Sequence, residues 1–394
     1  LNRLFTGADQ AAGSAVEPGH SAPDAGRDLP DSTPRGWSGT AVSTAAALLA
    51  RAERPVLLVG SQAVIRAGAV EHVARAVTSL GIPTWLSGMA RGLLGRSHVL
   101  LLRHARRQAL READLVILAG VACDFRLDYG RHIGRAARVI AANRSRAEAR
   151  RNRRPDVIAV GDAGAFLEAL AAGSAPRAAW GPWLGALARR DADRDADIER
   201  LAAGGGEAVN PVFLLREVDQ VAAPDAVFVL DGGDFAATAS YVVRPRGPLR
   251  HLDPGAFGTL GVGGGFALGA RLAYPASEVW VLYGDGAAAF SLAELDTGVR
   301  HGLPVIAVVG NDASWEQIAR DQREVLGDDV GTVLRRSDYQ VVAEGYGAVG
   351  ILVRRAEEVR PALERAQREA RAGRPVLVNV WLERTGFRKG STSI

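Results

Sequence analysis

The chain has 394 residues, 47% of them hydrophobic and 23% charged, the composition of an ordinary globular protein long enough for two or three domains. Its formal net charge is +4 and its basic side is almost all arginine, with Lys389 the only lysine; the near-balancing acids and the lack of an aromatic-interleaved basic stripe exclude a nucleic-acid footprint. A single cysteine excludes a disulfide framework, and no apolar run is long enough to span a bilayer, so a cytoplasmic location is expected.

Residues 6–40 are rich in Gly, Ala, Ser, Pro and Asp without periodicity, so 1–40 reads as a disordered linker. A helix over about 42–52 follows, then strands at 56–59, 82–85, 115–119, 139–142 and 157–160 with helical segments between. This alternation predicts a parallel α/β domain over 41–172. Cys123 follows the third apolar run and reads as a buried thiol rather than a nucleophile. An Ala- and Arg-rich stretch, 173–207, contains one amphipathic helix and acts as connector. A second domain, 208–386, opens on Asn210-Pro211, which caps a helix running to 222 with proline in its first turn. Strands are expected there at 227–230, 279–283, 305–309, 348–352 and 376–381, and the most apolar helix at 262–272. Residues 387–394 form a short polar tail. The fold class is α/β, with two Rossmann-like parallel-sheet domains.

The chemistry concentrates at Gly284-Asp285-Gly286 and Asn311-Asp312, with 24 residues between Gly286 and Asn311. Asp285 closes one buried strand, a helix is expected over 291–301, and a second buried strand ends at Asn311. A β-α-β crossover of this kind returns the chain parallel and beside its start. Asp285 and Asp312 then meet at the carboxyl ends of neighbouring strands, where open α/β sheets bind ligands. Two hard oxygen ligands, with Gly286 letting backbone come close, suit Mg²⁺ holding a diphosphate. A second glycine turn, Asp231-Gly232-Gly233-Asp234, joins a strand to a helix starting near Phe235, and its exposed N–H groups favour a phosphate. The alternative there is a plain tight turn. Gly263, Gly265 and Gly269 imitate a dinucleotide fingerprint, but no strand leads into them. His251 reads as a structural or exposed histidine.

This spacing resembles the diphosphate-binding motif of thiamine diphosphate (ThDP) enzymes, GDG followed after about two dozen residues by NN. Asp312 stands where the second Asn is usual, and the extra carboxylate is expected to bind a cation at least as well. The resemblance makes Asp285, Asp312 and the backbone carbonyl of Ser314 the metal ligands. It sets Gly284, Gly286, Ala287, Gly232, Gly233, Asp234 and Phe235 along the cofactor. Within 253–261 it gives Gly258 a carbonyl for the aminopyrimidine and Leu260 the wedge that bends the cofactor, where many relatives carry Met. Trp315 and Gln317 take positions that face substrate in relatives, with packing an equal alternative.

Runs at 88–96, 123–127, 231–235, 253–263 and 384–388 look like the acetolactate synthase-like proteins, which grade into the 2-hydroxyacyl-CoA lyases. Those families have an N-terminal pyrimidine-binding domain, a central domain and a C-terminal diphosphate-binding domain, and this chain resembles the last two. The family's catalytic glutamate lies on the first, so the catalytic residue is unknown here. A homo-oligomer (dimer or tetramer), or a separate chain carrying the pyrimidine-binding domain, is the expected partner. The resemblance implies a ThDP- and Mg²⁺-dependent lyase cleaving a 2-hydroxyacyl-CoA thioester to an aldehyde or ketone plus formyl-CoA. The alternatives are a carboligase on 2-keto acids and a non-catalytic ThDP-binding subunit. Arg91, Arg96, Arg126 and Arg144 are the arginines that would meet CoA phosphates, with structural or solvated roles the stronger alternative. Nothing in the residues demands the FAD held by acetolactate synthases.

Overall fold

The structure is a computed structural model and describes residues 39–203 and 206–387. The linker expected over 1–40 and the tail over 387–394 lie outside the described residues, save at three positions. Phe387 is described, and Gly39 and Thr40 belong to the helix Gly39–Leu49 rather than to a linker. Thr40 accepts side-chain hydrogen bonds from Ser43 and Thr44 one turn on, which draws the helix start forward.

Two parallel sheets organise the molecule. The first contains β1 (Pro55–Val59), β2 (Thr84–Leu86), β3 (Leu115–Ala119), β4 (Arg138–Asn143) and β5 (Val157–Val160), in the order β2-β1-β3-β4-β5. Every residue of β1 and β3 is buried, because helices cover both faces of a parallel sheet. That burial makes these strands continuous apolar runs rather than alternating ones, and explains why they stand out in the sequence. Cys123, just past β3, is buried, and burial pushes its thiol up to about 11.

The second sheet contains β6 (Val227–Asp231), β7 (His251–Leu252), β8 (Val279–Gly284), β9 (Ile306–Asn311), β10 (Val349–Val353) and β11 (Val376–Trp381). Its order is β10-β11-β9-β8-β6-β7, parallel throughout. β7 has only two residues and no apolar run of its own to announce it. The helix Pro211–Val221 starts as expected, with the Asn210 side chain accepting from the N–H groups of Val212 and Phe213. The helix expected over 291–301 differs. It is two helices, Asp285–Ser291 and Glu294–Arg300. Gly-Asp-Gly reads as a turn by composition, yet Gly284 is extended and ends the strand, and Ala287 to Ala289 carry the helix from Asp285 onward.

The helix Gly181–Ala202 ties the two sheets together. The indoles of Trp180 and Trp183 donate to the carbonyls of Ala52 and Pro55 beside β1. One turn after another, Asp191 accepts from the backbone N–H groups of Arg103 and His104, and Asp195 pairs with His104 and Arg244. Asp219 closes the junction, meeting Arg96 from one side and the buried Arg246 from the other, each at 2.7 Å.

Candidate functional site

β6, β8 and β9 are neighbours in register, with Asp231 opposite Tyr283 and Gly284 opposite Gly310. Their carboxyl ends therefore lie side by side, and the turns that follow enclose a cavity of about 250 Å³. The structure brings all fourteen positions selected from the sequence to its walls: Gly232, Gly233, Asp234, Phe235, Gly258, Leu260, Gly284, Asp285, Gly286, Ala287, Asp312, Ser314, Trp315 and Gln317.

Two glycines are dictated by close approach. A Cβ on Gly232 (φ +84) would sit 2.1 Å from the Ala287 Cβ, so the turns after β6 and β8 touch backbone to methyl. A Cβ on Gly286 would sit 2.4 Å from the ring of Trp315, which lies across the turn and tilts against Phe290. Trp315 is thus a packing wall as well as a lining residue. Helices begin at both turns, Gly233–Val242 and Asp285–Ser291, so their first N–H groups face the cavity. The helix expected from about Phe235 starts at Gly233. Asp234, in its first turn, is paired with Arg320.

The electrostatics of the floor are unusual. Asp285 is 2% exposed; its Oδ1 accepts from the Gly286 N–H at 2.8 Å, while Oδ2 is buried without a hydrogen-bond partner among the described residues. Burial pushes this carboxyl up to about 6, against the pull of backbone N–H groups. Asp312 is pushed up to about 7, first by burial, then by the charges of Asp285 and Glu316. Two adjoining carboxyls that both resist ionisation form a site that a cation would relieve. Among the described residues no three His, Cys, Asp or Glu side chains gather to hold a metal. Carbonyl or ligand oxygens would have to complete any coordination shell around this pair.

The loop after β9 is held by residues to which the sequence assigns no role at the site. Ala313 has φ +57, a left-handed conformation strained for alanine. Arg384 donates to the carbonyls of Asp312 and Ala313, and Arg336 to those of Asn311 and Leu382. Ser314 turns its hydroxyl toward Glu316 and the Thr332 carbonyl. Asn311 faces away from the cavity, its amide donating to the Ser337 carbonyl and to Asn379. Only a structure could assemble this clamp, because Arg336 and Arg384 are far from the motif in sequence and belong to no periodic pattern.

A second cavity, of about 290 Å³, lies at the other end of the helix Gly233–Val242, between the two sheets. It is lined by Arg91, Arg96, Arg103, Arg106 and Arg244 together with Ser240 and Tyr241. Burial and the neighbouring Arg244 bring Arg103 down to about 10, and burial and Arg91 lower Arg106. Of the four arginines singled out in the sequence, Arg91 and Arg96 reach this cavity. Arg126, paired with Asp124, and Arg144, exposed elsewhere, do not line it, whereas Arg96 and Arg244 line it while paired with Asp219 and Asp195. His251 is buried beneath the loop at the first cavity, not exposed.

Comparison with known proteins places this geometry. Residues 231–380 match the thiamine pyrophosphate enzyme C-terminal TPP binding domain, and residues 42–170 match the thiamine pyrophosphate enzyme central domain. The chain belongs to the thiamine pyrophosphate enzymes, in the group that spans acetolactate synthases and 2-hydroxyacyl-CoA lyases.

Among its relatives, 2-hydroxyacyl-CoA lyase 2 of Danio rerio is 47% identical over 354 residues, 88% of this chain and 57% of the relative. The protein of the same name in Homo sapiens is 45% identical over 377 residues, covering 93% and 58%. Acetolactate synthase large subunit IlvG of Mycobacterium tuberculosis is 37% identical over 346 residues, covering 87% and 62%. The chain thus spans less than two thirds of the length of these curated relatives. Among the described residues, no helix is long and apolar enough to cross a membrane.

Proposed function

We propose that this chain forms the cofactor-binding part of a ThDP- and Mg²⁺-dependent carbon–carbon lyase acting on 2-hydroxyacyl-CoA thioesters. The products are an aldehyde or ketone and formyl-CoA. One observation carries the reading: Asp285 and Asp312 share the floor of a cavity, both with raised pKa values, and one buried carboxylate oxygen has no partner among the described residues. Such a pair is costly in a metal-free protein and suits Mg²⁺ bridged to a diphosphate.

Asp285, Asp312 and the Ser314 carbonyl would hold the ion. Arg384 and Arg336 already occupy the carbonyls of Asp312, Ala313 and Asn311, which leaves that of Ser314 as the oxygen this loop offers. Gly232, Gly233, Asp234 and Phe235, with Gly284, Gly286 and Ala287, would border the diphosphate, and Gly258 and Leu260 the aminopyrimidine. When bound, ThDP supplies the electron sink that lets a bond next to a carbonyl break. The chain's part is to bind and orient it, and Trp315 and Gln317 would close the substrate side. Phe257 and Phe290, 95% and 66% exposed near the cavity, present apolar surface to the pyrimidine-binding domain that must bring the family's glutamate.

The second cavity favours a CoA thioester over a free 2-keto acid. The helix Gly233–Val242 lines one cavity with its first turn, 233–236, and the other with Ser240 and Tyr241, about 10 Å further on at 1.5 Å per residue. A pantetheine arm would be long enough to span that interval, and the arginines have the sign that CoA phosphates require. Incubation of the chain with a pyrimidine-binding domain, ThDP and Mg²⁺ tests the reading. A 2-hydroxyacyl-CoA should yield formyl-CoA and the shortened aldehyde by mass spectrometry. Product from pyruvate alone would make the protein a carboligase, and ThDP binding without turnover of either substrate would make it a non-catalytic subunit.

A further inference from the structure

Asp231 is a fully buried carboxylate, and among the described residues no basic side chain is bonded to it. It stands at the end of β6, and its two oxygens accept from the backbone N–H groups of Gly261, at 3.1 Å, and Gly263, at 2.7 Å. Gly263 begins the helix Gly263–Ala273, so one end of the carboxylate's reach is a helix start and the other a loop glycine with φ +86. A Cβ on Gly263 would meet the Asp231 side chain at 2.8 Å, so the contact is close enough to dictate the residue type. An isolated buried carboxylate is expensive, and two N–H donors offset only part of that cost.

The other end of the same loop has a similar arrangement. Asp253 is 9% exposed, and its Oδ1 accepts from the Gly255 N–H at 2.8 Å. Its Oδ2 faces the buried His251 Nε2 at 3.3 Å, and His251 sits on β7, paired with Phe228 of β6. Between these two anchors the loop has little to hold it. Gly258 is left-handed with open space around it, and Phe257 is almost wholly exposed. Yet Gly258 and Leu260 line the cavity, and Leu260 lies over Gly232.

We propose that Asp231 and Asp253 are positioning residues: their carboxylates pin the two ends of the loop 253–263 to β6 and β7, and thereby set Gly258 and Leu260 against the bound cofactor. The inference rests on the cofactor reading above. Asp231 does not line the cavity and Asp253 lines it from the loop, and neither is among the groups acting on Asp285 or Asp312, so losing one loosens the loop while leaving those two in place.

The test uses the full chain with ThDP and Mg²⁺ as probes, in the parent and in Asp231→Asn, Asp253→Asn and Asp285→Asn. Without cofactor, amide exchange at Gly261 and Gly263 should quicken by about tenfold or more in Asp231→Asn, and at Gly255 in Asp253→Asn. Tryptophan fluorescence titration should show the ThDP dissociation constant rising by about tenfold in each, the worth of one charge-assisted bond, with Mg²⁺ dependence unchanged. Should Asp231→Asn fail to fold, Asp253→Asn, nearer the surface, carries both measurements. ThDP affinity within about twofold of the parent in variants whose exchange has quickened would overturn the proposal, since a merely structural tie behaves that way. Unchanged exchange would overturn it as well. ThDP binding by Asp285→Asn as tight as the parent's, or none by the parent, overturns the cofactor reading instead.

Discussion

Replacing Asp285 by asparagine separates what the site costs the fold from what it does. Its carboxyl is raised from an ordinary 3.8 to about 6 by burial, so the folded state holds the proton more tightly than the unfolded chain. The resulting penalty is absent below the unfolded value, grows as pH rises toward about 6, and is complete above it. About 2 pH units at 1.36 kcal/mol each give a full penalty near 3 kcal/mol, of which about half is present at pH 5. Asparagine keeps the oxygen that accepts from Gly286 and sheds the charge, but leaves an amide N–H buried at a cost of about 1–2 kcal/mol. That cost is the same at both pH values and cancels in their difference. Urea unfolding of the metal-free chain should therefore show Asp285→Asn gaining about 1.4 kcal/mol or more relative to the parent between pH 5 and pH 8, any excess coming from Asp312, whose carboxyl the charge of Asp285 also raises. With Mg²⁺ and ThDP at a hundred times the dissociation constant, the parent should gain about 2.7 kcal/mol and the variant nothing. A stability difference that does not move with pH would refute the desolvation argument. Equal stabilisation of both proteins by ThDP would refute the site.

Asp312→Asn should still bind ThDP but need about three- to tenfold more Mg²⁺, with a flatter rise in Mg²⁺ affinity between pH 5 and 8, because the carboxyl that must lose its proton near 7 is gone. Magnesium titration at several pH values reads both. Gly286→Ala should cost about 1–3 kcal/mol and shift the Trp315 fluorescence, since the new methyl meets the ring; adding Trp315→Ala should recover most of the loss in urea unfolding. Asp219→Ala should cost about 3–5 kcal/mol by stranding the buried Arg246, whereas Arg96→Ala, on the exposed side of the same carboxylate, should cost about 1 kcal/mol or less.

The strands and the floor of the site were legible because they obey local rules. A strand buried on both faces must be apolar throughout, so the runs ending at Leu230, Tyr283 and Val309 could be read directly, and the acids that follow them fell into place. Helix starts were less legible. Glycine at 232 and 286 signals a turn by propensity, but here it lets the turn after β6 meet Ala287 and the turn after β8 meet Trp315, and the helices begin at once. The supports were not legible at all. Asp231 looked like part of a phosphate turn, yet its carboxylate reaches across to Gly261 and Gly263; Arg384 grips a loop 71 residues away at Ala313. Contacts of that kind have no period and no fixed spacing. Of the four arginines singled out, Arg126 is paired with Asp124 and Arg144 is exposed, the structural and solvated roles that were the stronger alternative for them.

Gly284 faces Gly310 across the β8–β9 ladder, and that pairing, not the number of residues in the crossover, fixes where the two acids emerge. The crossover contains two short helices and a left-handed turn at Gly302 on the side of the sheet remote from the cavity floor. Residues added or removed at that far bend would lengthen the detour without moving either strand tip, whereas a slip of one rung would swing Asp312 to the opposite face. The two-dozen-residue interval is accordingly an accident of helix length, and hydrogen-bond phasing is the quantity the chemistry depends on.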